Sequence, residues 1–180
     1  MKKKLPIGLS VVIALVLVAF GLIYGTWAGF KEDLEDVQSI LTMENGLMDV
    51  LSYRAADGFN LCAVARRHLS ADDAGLTGLK AAAENLRSAK DLNACKAADD
   101  AFSQAVSAVA ARLQETESFN LSQRDQSYLA MLIADLNNLS ASAAVSTYND
   151  AASGFNRKLD APLSGALARL LGMEACPLYE

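Results

Sequence analysis

Histidine, proline and cysteine are all scarce in this chain of 180 residues, which holds one, three and three of them. A single histidine, His68, leaves little choice of base for a serine or cysteine nucleophile. Cys62, six positions earlier, lies on a different face if both share a helix, so the two side chains do not meet. The paired Glu-x-x-His signature of di-iron bundles is missing, as are a phosphate-binding GxxxxGK[ST] loop, a GxGxxG turn after a strand and an HExxH helix. Cys62, Cys95 and Cys176 lack the CxxC spacing of a zinc site. One disulfide, with Cys62–Cys95 the first pair to consider, and three buried free thiols are both compatible with them. Clustered cations are also rare after residue 27: Arg66-Arg67-His68 is the densest group there, and at a helix end it complements the macrodipole in water and does not track phosphates. These absences point to a protein with no catalytic centre, no cofactor, no metal and no nucleic-acid partner.

Proline's scarcity speaks to the fold. Residues 7–161 contain none, and alanine, leucine and short polar residues fill the interval without alternating β-branched runs. Nearly continuous helix is the expectation.

The first segment is of another kind. Lys2, Lys3 and Lys4 precede Leu5 to Trp27, a run of 23 residues with no charged side chain. At about 1.5 Å per residue, that run covers a hydrocarbon core of about 30 Å. The lysines should stay cytoplasmic, while Tyr24 and Trp27 suit the far headgroup layer. Thr26-Trp27-Ala28 loosely resembles a signal-peptidase site, but the apolar run exceeds the usual secretory length of about 7 to 15 residues. An uncleaved anchor is preferred. Residues 28–180 then carry a net charge of −8, against −5 for the whole chain.

Beyond the anchor, Phe30, Leu34, Val37, Leu41, Met48 and Leu51 step by three and four, with Glu44 in the one polar slot. This stripe predicts a helix continuing from the span to about His68 or Leu69, with Glu44 either leaning out to water, the commoner arrangement, or buried against Arg54. Ser70-Ala71-Asp72-Asp73 predicts the cap of a second helix ending near Ala89, and Asp91 caps a third from Leu92 to about Glu117. Ser122-Gln123-Arg124-Asp125 resembles a capping box opening one long helix to Leu159. Asp160 is expected to cap a short helix over Leu163–Leu171, with Pro162 in its first turn and Gly172 as its stop. The expected architecture is all-α: an antiparallel up-and-down four-helix bundle with a short C-terminal helix, preceded by one transmembrane helix. Two regions follow, a basic tip and anchor at 1–27 and a bundle domain at 28–180. Adjacent carboxylates such as Asp72-Asp73, Asp99-Asp100 and Glu115/Glu117 read as solvated surface.

One motif stands out. Tyr148-Asn149 recurs seven residues later as Phe155-Asn156, so the aromatics share one helical stripe and the asparagines the next. The aromatics suit a core packed on the first helix. Asparagine is a poor helix former, so its repetition suggests hydrogen bonds to a neighbouring helix that fix register, with Gly154 permitting close approach. A ligand cleft is the alternative. Arg54, Asn60, Tyr148, Asn149, Phe155 and Asn156 form the candidate interhelix or ligand cluster.

These residues carry a resemblance. Tyr148-Asn149-Asp150, Phe155-Asn156, Ala161-Pro162, Ala168, Leu171-Gly172 and Tyr179-Glu180 are similar, in order and nearly in spacing, to the YNDxVxxYN, FP, AxxxGF and YFE elements of the LemA family of bacterial membrane-anchored proteins. Arg54-Ala55 through Asn60-Leu61 resembles that family's RxDLIPNLV. The chain departs from it in having Phe59 before Asn60, Asp57 one position late and Val145 where an arginine usually precedes YND. The resemblance implies a helical bundle on a single anchor, with no established enzymatic activity. The functional expectation is a non-enzymatic interaction or scaffold module of the bacterial envelope, with the bilayer and an envelope or membrane protein as partners. It would be a single-pass protein of the inner membrane, its N-terminus cytoplasmic and its bundle outside. The alternative is an accessory small-molecule or peptide-binding sensor bundle.

Overall fold

A computed structural model describes residues 7–140 and 142–179. Lys2 to Lys4, Leu5 and Pro6 of the anchor, and Glu180 of the closing Tyr-Glu pair, lie outside the described residues. The chain is all-α, with no strand among the described residues: α1 (Ile7–Thr42), α2 (Leu47–Ala65), α3 (Ala74–Ser88), α4 (Leu92–Gln114), α5 (Glu117–Asn120), α6 (Gln123–Ser140), α7 (Ala143–Leu159) and α8 (Ser164–Leu170). It divides into two compact units, Met1–Ser39 with Ala151–Cys176, and Ile40–Asp150 with Pro177–Glu180.

In the first unit, the N-terminal part of α1 is an apolar rod long enough to cross a membrane. Its large side chains point outward in every direction, Ile7, Leu15 and Phe20 among them. A helix apolar on all sides needs an apolar surrounding, which a bilayer supplies. Only Phe30 and Val37 of α1 are buried. The ring of Phe30 meets that of Phe155 edge-on, with centroids 6.0 Å apart, and Lys158 pairs with Asp33 at 2.6 Å. The short C-terminal helix is shorter than expected and capped differently. Pro162 sits in the turn before it, and Asp160 leaves the cap position to pair with Arg169. Its end follows the expectation: Gly172 takes φ +87°, while Met173 N–H reaches the Ala168 carbonyl and Gly172 N–H that of Arg169. This is the paired closure that a left-handed glycine allows.

The second unit corrects the long first helix. The helical path breaks at Met43–Gly46, where Asn45 adopts φ 59° and Gly46 N–H bonds the Met43 carbonyl at 2.8 Å. A Cβ at Gly46 would sit 2.7 Å from that carbonyl oxygen, so glycine is required there. Glu44 is exposed in this turn, and Arg54 bonds elsewhere. The caps of the next two helices match the sequence: Asp73 accepts from Gly75 and Leu76 N–H, and Asp91 from Ala94 N–H at 2.8 Å. Asp73 also pairs with Arg112, so it is structural and not part of a solvated acidic surface. The third helix stops at Gln114 and α5 forms a separate turn. The single helix expected over Ser122 to Leu159 is two, because Ser142 caps a fresh start by accepting from Ala144 N–H at 3.1 Å.

Within this unit α2 packs against α3, α4 and α6, α3 packs against α4, and α5 bridges α4 and α6. Leu47, Leu61, Leu79, Phe102, Val109 and Leu113 are fully buried. Each such side chain contributes on the order of 1.5–3 kcal/mol. Gly58 lets α2 and α4 approach: a Cβ there would overlap the Phe102 ring and lie 3.2 Å from Ala83.

Candidate functional site

Arg54 is the most buried charge of the second unit, with 4% of its surface exposed. Its position on the inner face of α2 places its guanidinium between α4 and α6. Nε donates to Asp99 Oδ1 at 2.7 Å, Nη2 to Ser103 Oγ at 2.9 Å and Nη1 to the Leu136 carbonyl at 2.8 Å. The cation also lies 5.7 Å from the Phe102 ring centre. A planar fork with several fixed acceptors is the geometry that favours arginine over lysine. Asp99, read from sequence as solvated, is instead the counter-charge of this arginine, and only its neighbour Asp100 faces solvent, paired with Lys96.

The other oxygen of Asp99 faces the end of the chain. Tyr179 donates its hydroxyl to Asp99 Oδ2 at 2.9 Å. The two-turn asparagine motif meets the same segment. Asn149 Nδ2 donates to the Tyr179 carbonyl at 2.9 Å, while Tyr179 N–H donates to Asn149 Oδ1 at 2.8 Å. One carboxamide thus matches both main-chain groups of a single residue, as a neighbouring strand would. Tyr148 adds a hydroxyl bond to the Pro177 carbonyl at 2.9 Å. Pro177 and Leu178 are exposed, whereas Tyr179 is buried. Burial first, and the Asp99 carboxylate second, push the Tyr179 phenol far above its ordinary value, so it stays a neutral donor.

The motif repeats its device in the first unit. Asn156 Nδ2 donates to the Cys176 carbonyl, and Cys176 N–H to Asn156 Oδ1, both at 2.8 Å. The asparagines therefore hydrogen-bond the extended C-terminal tail, not a neighbouring helix. Gly154 has open space around it and permits no close approach. Of the remaining candidates, Phe155 packs on Phe30 in the first unit. Asn60 lies on an exposed face of α2 and bonds Asp57 at 3.3 Å, separate from the tail.

Sequence reasoning missed Asp99, Ser103 and Tyr179 as members of this site, because each is brought in by tertiary contact. It also placed His68 in water. Its side chain is only 7% exposed, its Nε2 meets Asp125 Oδ2 at 2.9 Å and its Nδ1 meets Ser118 Oγ at 3.0 Å. Arg67 shares the same carboxylate at 2.6 Å. The His68 hydrogen bond is the chief reason that Asp125 is held below the usual carboxylate range. The three cysteines are unpaired and buried, and burial raises each thiol. An apolar groove of about 710 Å³ runs between α4, α5 and α6, walled by Ala110, Phe119, Leu129 and Ile133. None of the six candidate residues lines it. Among the described residues no group of histidine, cysteine and carboxylate side chains is arranged to hold a metal.

No family model, curated protein or solved structure matches this chain.

Proposed function

We propose that this protein is a membrane-anchored, non-enzymatic interaction module: a bundle of α2, α3, α4 and α6, carried on the apolar part of α1. On this reading α1 crosses the inner membrane of a bacterium with the lysine-rich tip in the cytoplasm, and the bundle stands outside. The resemblance to the LemA family points the same way. The observation that carries the reading is the tail site. Its fixed donors and acceptors match the main chain of an extended peptide, which is how a recognition surface reads a partner, and no reacting group sits among them. Anchoring raises the local concentration of such a surface towards neighbouring membrane proteins.

Among the described residues, Ser118, His68 and Asp125 are a constellation that bears on catalysis, and their geometry favours a structural role. In a serine hydrolase the carboxylate holds Nδ1 and the serine sits at Nε2. The nitrogens are exchanged here, and Arg67 already neutralises the carboxylate that would stabilise an imidazolium. These contacts tie the end of α2 to α5 and α6.

The test is cross-linking in intact membranes followed by purification of the full chain in detergent. A stoichiometric partner that is lost from an Asn149→Leu variant is the expected result. Recovery of the bait alone, across several cross-linkers, contradicts the reading.

A further inference from the structure

We propose that the place where Pro177–Tyr179 lies is a receptor site for an extended peptide of a partner protein carrying Pro-any-Tyr, and that the chain's own tail is its resident occupant. The inference rests on the interaction-module reading and names the class of partner.

Three features of the site define the ligand. Asn149 satisfies both main-chain groups of one residue, so it reads extended backbone whatever the side chain. Tyr148 reads the carbonyl two residues earlier. Proline suits that position, since its ring disfavours helix and no N–H is required from it. The buried phenol of Tyr179 donates to Asp99, whose second oxygen is held by Arg54, so the pocket selects a neutral hydroxyl at its floor. Phenylalanine would leave that carboxylate oxygen without its donor. A phosphotyrosine would bring negative charge against Asp99. Leu178 points to solvent and sets no requirement.

After Gly172 the described chain contains no helix, so release of Pro177–Tyr179 breaks side-chain hydrogen bonds and removes no helical turn. A tethered tail competes at an effective concentration of roughly millimolar, so an incoming segment must be tethered too or held by further contacts. Two proteins anchored in one membrane meet that condition.

The experiment uses the full chain in detergent, with Tyr179→Gly to empty the phenol pocket and leave the resident tail only its main-chain bonds to Asn149 and Tyr148. The probe is a fluorescein-labelled synthetic peptide of residues 174–180 with serine in place of Cys176. The Tyr179→Gly protein should bind it saturably, at least ~10-fold more tightly than the intact chain, whose tail competes. A phenylalanine probe should lose on the order of 10-fold, as expected for one hydrogen bond to a charged group, and a phosphotyrosine probe more. Replacing the probe's leucine by serine should change little. Asn149→Leu in the Tyr179→Gly background should abolish binding. Asp99→Asn in the Tyr179→Gly background should narrow the preference for tyrosine over phenylalanine, since the bond to the phenol loses its charge, while leaving binding measurable, which a merely destabilised protein would not show. A Tyr179→Gly protein that keeps its helical circular dichroism yet binds no probe overturns the proposal, as does equal binding of the phosphorylated peptide. Failure here with a partner still recovered by cross-linking removes this inference and leaves the interaction-module reading standing.

Discussion

Replacing Arg54 by methionine is the sharpest test of the second unit's interior. The substitution removes donors to Asp99, Ser103 and the Leu136 carbonyl, and it strips Asp99 of its cation while the aliphatic volume is largely kept. Removing one member of a buried ion pair costs about 3–5 kcal/mol, chiefly because the remaining charge stays desolvated. Asp99 keeps 15% of its side-chain surface in water and retains the Tyr179 hydroxyl, which places the loss at the lower end, about 3 kcal/mol. For a chain of this size that lowers the midpoint of thermal unfolding by roughly 6–12 °C. Thermal melts of the full chain in detergent, followed by far-ultraviolet circular dichroism, measure it. Adding Asp99→Leu to Arg54→Met should recover much of the loss, since an apolar pair in place of a buried ion pair is often neutral or better. A shift below ~2 °C for Arg54→Met, or a double variant less stable than the single, would refute the argument that this charge pair organises α2 against α4 and α6.

Three other outcomes follow from separate contacts. Gly58→Ala should destabilise the second unit by about 1–2 kcal/mol, because forcing a methyl against the Phe102 ring outweighs the helix propensity gained; unchanged unfolding would remove the close-approach argument. The depressed Asp125 pKa adds stability that is complete above the ordinary value of 3.8 and lost as pH falls through the lower folded one. Melts from neutral to acid pH should therefore show Asp125→Asn less stable at neutrality and converging with the wild type in strong acid, and parallel curves would deny the linkage. A fluorophosphonate probe should leave Ser118 unlabelled, and labelling that depends on both Ser118 and His68 would overturn the non-enzymatic reading.

The readable parts of the sequence are those whose causes are local. Asp73 and Asp91 cap helices with their own side chains, Gly172 closes one through its own backbone freedom, and a long uncharged run needs no partner to be recognised. The helical breaks were obscured by the apolar stripe, which continues in register across Met43–Gly46 while Asn45 and Gly46 interrupt the backbone beneath it. Asn149 and Asn156 were visible as an anomaly, since a poor helix former had been placed twice at one spacing. Their partners were not visible, because the tail lies 30 and 20 residues away in sequence. Asp99 shows the limit most clearly. Beside Asp100 it reads as a wet acidic pair, and only the packing of α2 against α4 turns one of the two inward to Arg54.

The proposed role requires α1 to act as a membrane rod carrying a folded helical domain. Alkaline carbonate extraction of membranes from cells expressing the full chain, compared with a chain beginning at residue 28, tests this directly. The full chain should stay with the lipid pellet and the shortened one should appear in the soluble fraction with helical circular dichroism. Release of the full chain by carbonate would contradict it.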